Sequence, residues 1–186
     1  MNLPNKLTLF RVVLGFLIIP VILINFDRNI HIALFIFVIA SVTDFLDGFI
    51  ARKYRLITDL GKFLDPLADK ILVIGTLICF IDKGWAESPV VALIVAREFV
   101  VSGVRLAAAA DKTAPQVIAA SPLGKIKTAA TMVTIAAILL FNSFVQLPGS
   151  LDTDGIGHAL LLFCLVLTVA SGIEYVYLYR NVFKTK

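Results

Sequence analysis

Six long apolar stretches dominate this sequence and limit what it can fold into. They run over about residues 8–26, 30–52, 62–82, 88–110, 122–146 and 156–180. A helix needs about 20 apolar residues to cross a bilayer, and each stretch reaches roughly that length. Because only helices and closed barrels satisfy all of their backbone hydrogen bonds in lipid, the stretches predict an all-α integral membrane protein with six transmembrane helices.

Composition supports this fold class. Hydrophobic residues make up 59% of the 186 residues and charged residues only 16%, against about 45–50% and 25% in ordinary soluble domains. A disordered chain and a routine soluble domain are therefore excluded, and the length suits a single domain over residues 1–186. Cys79 and Cys164 both fall inside apolar stretches, which excludes a disulfide-rich framework.

The positive charges are distributed unevenly and predict the topology. Most lysines and arginines lie near the two ends of the chain and in the second and fourth breaks, whereas the first and third breaks hold Arg28 and Lys83. The positive-inside rule then places both termini in the cytoplasm, in a multi-pass protein of the cell membrane.

The first stretch lacks a small-residue cleavage site, so we expect a retained helix. No basic run carries interleaved aromatic residues, and we expect no nucleic-acid partner.

Two carboxylates lie near the end of the second apolar stretch. Asp44, Asp47, Gly48, Ala51 and Arg52 follow one another at positions i, i+3, i+4, i+7 and i+8. This spacing puts all five on one stripe of a helix. The stripe therefore combines two acids, two small residues and a cation, inside a segment that is otherwise apolar.

The third stretch begins with a similar stripe. Gly61, Asp65 and Asp69 recur at i, i+4 and i+8, again on one side of a helix. The short connection between the two stretches predicts that their helices are antiparallel neighbours. Both acidic stripes would then lie at the same depth, in a polar cavity that faces the cytoplasm.

Four carboxylates gathered in a half-buried site repel one another. A single like-charged pair about 4 Å apart costs roughly 4 kcal/mol at an effective dielectric constant of 20. Protonation or divalent cations relieve this repulsion, and oxygen-only ligands favour Mg²⁺, Mn²⁺ or Ca²⁺ over zinc. The alternative is a charge cluster at the membrane interface, in which the acids pair with nearby cations, namely Lys53, Arg55, Lys62 and Lys70. Acids within membrane spans are costly, which favours a functional role.

The later stretches carry a second set of polar residues. Stripes at helical spacing comprise Glu98, Ser102 and Arg105 on the fourth stretch, and Gly124, Lys127, Thr128 and Thr131 on the fifth. Converging cations and hydroxyls of this kind suit a ligand that carries a phosphate. Two alternatives stay open here. Lys125 and Lys127 can serve as topology anchors, and Arg97 can pair with Glu98 or with an aspartate.

The acidic stripes resemble a known family signature. The run from Asp44 to Asp69 reads D-x2-D-G-x2-A-R-x8-G-x3-D-x3-D, which is similar, without departure, to that of the CDP-alcohol phosphotransferase family. Further segments resemble its phosphatidylglycerophosphate synthase branch: residues 4–11, 61–70, 96–105 and 124–128. The resemblance extends over nearly all six stretches.

The resemblance implies a reaction and a set of ligands. The donor is CDP-diacylglycerol; an alcohol attacks the phosphorus nearer the lipid, and CMP leaves. By this resemblance Asp44, Asp47, Asp65 and Asp69 hold two divalent cations, Mg²⁺ or Mn²⁺, and Asp69 also takes the proton of the attacking hydroxyl. Such a reaction needs positioning and charge neutralisation more than covalent help from the protein.

The resemblance also assigns residues to the nucleotide. Gly48 and Ala51 are small where the nucleotide approaches the helix, Arg52 contacts the diphosphate, and Gly61 lies beside the nucleotide. Thr8, with Arg11 three residues later, either reaches the nucleotide or only holds the first helix at the membrane interface.

For the acceptor, the branch-like segments favour glycerol 3-phosphate, with phosphatidylglycerol phosphate as the product. The residues expected to bind its phosphate are Arg97, Ser102, Arg105, Lys125, Lys127 and Thr128. Other acceptors for the same chemistry are inositol phosphate, serine and phosphatidylglycerol; the basic residues disfavour serine. The family also implies a homodimer in contact with membrane lipid.

A function of a different class, a cation transporter, would use the aspartates as an ion path. Transporter sites usually lie at the bilayer midplane between structural repeats. Here no repeat is visible, and the acids are expected near one surface. The enzyme is therefore favoured.

Overall fold

The computed structural model describes residues 2–54, 58–110, 122–144 and 153–178, and it is a bundle of six α-helices. The helices are α1 (Leu3–Leu23), α2 (Asn29–Lys53), α3 (Asp59–Asp82), α4 (Ser88–Ala110), α5 (Pro122–Phe144) and α6 (Thr153–Leu178). Each apolar stretch of the sequence corresponds to one helix, and the described residues contain no β-strand. The all-α class is confirmed.

The outer surface of the bundle is apolar. Phe45 is 70% exposed, Val133 68% and Ile173 66%, while the centre is filled by aliphatic and aromatic side chains of all six helices. Among the described residues, four helical segments are long and apolar enough to cross a membrane: Leu3–Leu23, Asn29–Ala51, Pro122–Ser143 and Gly155–Tyr177. The chain is a multi-pass membrane protein. The described parts of α3 and α4 are not among these segments, so a count of six crossings stays a prediction.

The first helix begins earlier than its apolar run. It starts at Leu3 rather than near residue 8, with Pro4 in its first turn, where a proline costs no intrahelical hydrogen bond. Asn5 and Thr8 in these first turns are buried. Hydropathy misses this segment because its polar side chains are buried against other polar groups.

The helices α2 and α3 touch each other little, because both pack mainly against α1. This differs from the direct packing that the short connection predicted. Small residues allow α1 to come close to α3: a Cβ atom at Gly15 would lie 3.0 Å from Ile71 Cγ2 and 3.3 Å from the backbone nitrogen of Leu72. One at Gly75 would lie 3.1 Å from Ile19 Cδ1. Close approach at small residues is a common basis of helix packing in membranes.

Gly15→Ala is expected to destabilise the bundle by about 1–3 kcal/mol, since its methyl group meets the α3 backbone and forces overpacking. Gly103→Ala on α4 is the matched control, because a Cβ atom there has no neighbour within 4 Å in the described part of the chain and alanine is the better helix former. Thermal unfolding in detergent measures both. Equal melting temperatures for the two variants would contradict the close α1–α3 contact.

The second half of the bundle consists of α4, α5 and α6. The helix α5 packs against α6 and α2, and α4 packs mainly against α6. Direct contacts of α3 with α4 and α5 are sparse. The polar residues of α2, α3, α4 and α5 line the space left between the two halves.

Candidate active site

Arg11 of α1 lies between the two aspartates of α2. Its side chain is completely buried, and its guanidinium forms ion pairs with Asp44 through Nη1 and with Asp47 through Nη2. Asp47 is buried as well, whereas the Asp44 side chain is 43% exposed. A planar guanidinium has donors for two carboxylates at once. Arg11 is thus the counter-ion of the α2 acids in this arrangement, a role that the sequence did not assign to it.

Thr8, one turn earlier on α1, connects α2 to α3. Its hydroxyl donates to Asp65 Oδ1 at 2.7 Å, and the hydroxyl oxygen of Thr8 also lies 3.3 Å from Asp47 Oδ2. Three of the four predicted carboxylates therefore meet at α1, through Thr8 and Arg11. The interpretation of Thr8 as a nucleotide contact stays a prediction, because its observed partners are aspartates.

Asp69 lies one turn beyond Asp65 on α3 and lines a cavity of about 900 Å³ together with Asp44. Its Oδ1 atom is buried and has no hydrogen-bond partner among the described residues. An uncommitted carboxylate oxygen in a cavity wall is free to accept a proton or to bind a cation.

The donor set fits a hard divalent cation by its chemistry. All four side chains offer carboxylate oxygens, which Mg²⁺ and Mn²⁺ prefer, and Asp69 Oδ1 is uncommitted. In the described part of the chain, however, no three acidic, histidine or cysteine side chains are already gathered around one point as a metal site. Asp44 and Asp47 are held by Arg11, and Asp65 by Thr8. A cation would therefore have to draw these carboxylates together.

The small residues of the signature lie beside the acids. Gly48 and Ala51 are half-buried on α2. Gly61 is buried in the first turn of α3, where its backbone nitrogen donates to the capping hydroxyl of Thr58 at 3.1 Å. A Cβ atom at Gly61 would lie 3.0 Å from Asn5 Oδ1, so this glycine allows α1 to approach α3. The side chain of Arg52 lies outside the described residues.

The lining of the cavity also carries cations. These are Lys70 of α3, Arg97 of α4 and Lys125 of α5, and the hydroxyls of Ser102 and Thr128 lie among them. Lys125 is exposed, and Lys70 Nζ donates to Ser102 Oγ. The Arg105 side chain lies outside the described residues. The cavity thus combines the acids Asp44 and Asp69 of α2 and α3 with cations of α3, α4 and α5.

Two of the predicted phosphate-binding cations are already paired. Lys127 is only 3% exposed and forms an ion pair with Glu98. Arg97 Nη1 lies 3.0 Å from the same carboxylate oxygen of Glu98. Of the two partners that the sequence suggested for Arg97, Glu98 is therefore the observed one. Lys127 does not line the large cavity; it lines a recess of about 20 Å³, whose wall also includes Asp69 and Glu98.

A comparison with known protein families identifies the family of this chain. A family model described as CDP-alcohol phosphatidyltransferase matches residues 1–170. The chain belongs to this family. The resemblance read from the acidic stripes is therefore confirmed. The CDP-alcohol phosphatidyltransferase signature in this chain lies on α2 and α3, and its Asp44 and Asp69 line the cavity.

Named relatives align over almost the whole chain. All three described here are called CDP-diacylglycerol–glycerol-3-phosphate 3-phosphatidyltransferase. The protein of Bacillus subtilis is 41% identical over 186 residues, covering 94% of this chain and 93% of its own. That of Rickettsia felis is 38% identical over 178 residues, covering 94% and 93%. That of Haemophilus influenzae is 34% identical over 184 residues, covering 94% and 91%.

Three residues of this family member were missing from the predicted site. Arg11 pairs with the acids, Glu98 pairs with the cations, and Lys70 lines the cavity. Each is a charged residue in or beside an apolar stretch, and that is the signal which marks them. The pair of Arg97 with Glu98 was one of the alternatives, but the partners on other helices were not predictable, because that pairing depends on which helices meet.

Proposed function

We propose that this protein transfers the phosphatidyl group of CDP-diacylglycerol to the primary hydroxyl of glycerol 3-phosphate. The products are phosphatidylglycerol phosphate and CMP. The observation that carries the proposal is the cavity of about 900 Å³, whose lining combines the acids Asp44 and Asp69 with the cations Arg97 and Lys125. The shared name of the relatives supports the same reaction.

The cavity suits two anionic substrates that react with each other. The acceptor's phosphate binds near Arg97 and Lys125 of the cavity lining, where Ser102 and Thr128 supply hydroxyls and Lys127 adds its charge from the adjoining recess; Arg105 is assigned to the same group. The CDP group of the donor lies beside Gly48, Ala51, Arg52 and Gly61, and Thr8 borders it. The acceptor's hydroxyl then points toward Asp69, and the acyl chains of the donor stay in the membrane.

Asp69 acts as the general base. Its uncommitted oxygen accepts the proton of the primary hydroxyl as that oxygen attacks the phosphorus nearer the lipid. A bond forms between the acceptor oxygen and this phosphorus, and the bond from the phosphorus to the bridging oxygen breaks, so that CMP leaves. A carboxylate within hydrogen-bond reach of the hydroxyl suits this step.

Asp44, Asp47, Asp65 and Asp69 would hold two divalent cations, Mg²⁺ or Mn²⁺. When bound, such cations neutralise the diphosphate and polarise the phosphorus that is attacked. Arg11 and Thr8 keep three of these carboxylates together in the arrangement described above.

The proposed topology has six crossings, with both termini in the cytoplasm. The 24 residues of α3 and 23 of α4 give lengths of about 35 Å, enough for the hydrocarbon core. The placement of the cations along the chain favours the cytoplasmic side for the cavity, in the cell membrane.

We also propose that residues 1–186 act as one domain and that the chain forms a homodimer. A monomeric mass in mild detergent would overturn the homodimer.

The proposed reaction is tested by CMP release from purified protein in detergent. The donor is CDP-diacylglycerol, offered with glycerol 3-phosphate, inositol phosphate, serine or phosphatidylglycerol, each with Mg²⁺, Mn²⁺ or a chelator. We expect turnover that needs a divalent cation and occurs with glycerol 3-phosphate alone. Turnover only with another acceptor would overturn the acceptor assignment. No turnover by folded protein would overturn the reaction and favour an ion path along the aspartates.

A further inference from the structure

Glu98 of α4 connects this helix to α5 through one carboxylate oxygen, and its neighbour Arg97 extends the connection to α6. Its Oε1 atom accepts from Lys127 Nζ of α5 and, at 3.0 Å, from Arg97 Nη1 of α4. Arg97 Nη2 in turn donates to Ser171 Oγ of α6 at 2.7 Å. The side chains of Lys127, Arg97 and Glu98 are 4%, 13% and 20% exposed. The three charges therefore form a largely buried network.

This network belongs to the wall of the cavity. Arg97 and Glu98 line the cavity of about 900 Å³ in which Asp69 lies. Lys127 lines the adjoining recess, whose wall also includes Asp69 and Glu98. Glu98 is thus an acid among the cations that the proposed function assigns to the acceptor's phosphate. An acid at that place weakens the attraction for an anionic ligand. Its presence there therefore indicates a different role.

A lysine side chain needs a partner to hold it in one orientation. It has a flexible four-carbon stem and three N–H donors, unlike the rigid fork of arginine. A buried ammonium without an anionic partner is also strongly destabilised. The Glu98 carboxylate supplies that partner and occupies part of the donor capacity of Lys127, which leaves the remainder for a second anion.

We propose that Glu98 is a positioning residue, which orients the Lys127 ammonium toward the acceptor's phosphate and thereby sets the affinity for the acceptor. The proposal rests on the function proposed above. It differs from a purely structural α4–α5 ion pair in one measurable respect. A positioning residue changes the KM for the acceptor and leaves that for the donor unchanged, whereas a structural pair affects both or neither.

The test compares KM values for glycerol 3-phosphate and for CDP-diacylglycerol in purified protein. Glu98→Gln keeps the shape of the side chain and removes its charge. We expect the KM for glycerol 3-phosphate to rise about tenfold or more, the scale of losing a charged hydrogen-bond partner, and the KM for CDP-diacylglycerol to stay within about twofold. Glu87→Gln is the matched control, since Glu87 is exposed and lies outside the cavity, and we expect both of its KM values to equal those of the wild type.

A double-variant cycle with Lys127 decides whether Glu98 acts through that lysine. In the Lys127→Met background, Glu98→Gln is expected to cause no further rise in the KM for glycerol 3-phosphate. The double variant also removes both charges of the pair, which a folded protein tolerates better than the loss of one. If Glu98→Gln alone fails to fold, Glu98→Asp replaces it in the cycle, because it keeps the charge but shortens the side chain by one methylene, and the KM for glycerol 3-phosphate is again expected to rise.

Three results would overturn the inference: an unchanged KM for the acceptor, an equal rise in both KM values, or a Glu98→Gln effect that persists without Lys127. Failure of the proposed function can be distinguished from failure of this inference, because the turnover of the wild type is measured before any variant. If the wild type uses another anionic acceptor, the same variants are tested on the KM of that acceptor. If it shows no turnover, calorimetric titration with glycerol 3-phosphate compares binding by the wild type and by Glu98→Gln, and equal affinities then overturn the role of Glu98.

Discussion

Asp69→Asn is expected to lower kcat for CMP release by about a thousandfold or more while the protein still folds. Asparagine has nearly the same shape, but it cannot take the proton of the attacking hydroxyl, and general-base catalysis alone contributes about a hundredfold to ten-thousandfold. The proposed loss of a cation ligand adds to this effect. The measurement is steady-state CMP release with saturating CDP-diacylglycerol, glycerol 3-phosphate and Mg²⁺.

Asp82→Asn is the matched control for this experiment. Asp82 also belongs to α3, but it lies at the other end of the helix and is exposed. The same change of charge is therefore expected to leave kcat unchanged. An elution volume in detergent equal to that of the wild type shows that Asp69→Asn is folded. Retention of more than a tenth of the wild-type kcat would contradict the role of Asp69 as the base.

Arg11→Met is expected to destabilise the protein strongly when a chelator keeps divalent cations away. The substitution removes the shared partner of Asp44 and Asp47 and leaves the buried Asp47 charge without its counter-ion. Breaking a buried ion pair from one side costs about 3–5 kcal/mol, which for a chain of this size lowers Tm by roughly 6–20 °C. Adding Mg²⁺ is expected to restore part of this loss, because a cation bound to the freed carboxylates favours the folded state. Thermal unfolding in detergent, with chelator and with Mg²⁺, measures both effects.

Two further variants show whether the loss of Tm is specific to the guanidinium of Arg11. Arg11→Lys keeps the charge without the two-armed guanidinium, so we expect a smaller loss of Tm. Arg28→Met is the control, since Arg28 is exposed and its atom nearest Asp27 is 3.9 Å away; its Tm is expected to match the wild type, in line with the small value of exposed pairs. A Tm of Arg11→Met equal to that of the wild type in chelator would show that the α2 acids need no counter-ion from α1.

Local patterns were enough to predict the helices and the acidic stripes. The sequence placed α4 at residues 88–110, and the helix runs over Ser88–Ala110. Hydrophobic periodicity and length are local properties of a span in lipid, where a helix alone satisfies its backbone. The stripe from Asp44 to Arg52 likewise depends only on the helical repeat.

Contacts between helices were not predictable in the same way. The short connection between α2 and α3 suggested that they pack side by side, but both pack mainly against α1. The reason lies in shape: Gly15 and Gly75 let α1 approach α3 closely, and no count of apolar residues reveals which small residues face each other.

The sequence by itself thus determined the class of the protein, its helices, and the four aspartates that its family signature marks. The tertiary structure alone decided which charges neutralise one another: Arg11 with Asp44 and Asp47, and Lys127 with Glu98. The physical reason is that a buried charge is stable only beside a partner of opposite sign. In this bundle each of these partners comes from another helix, far away along the chain.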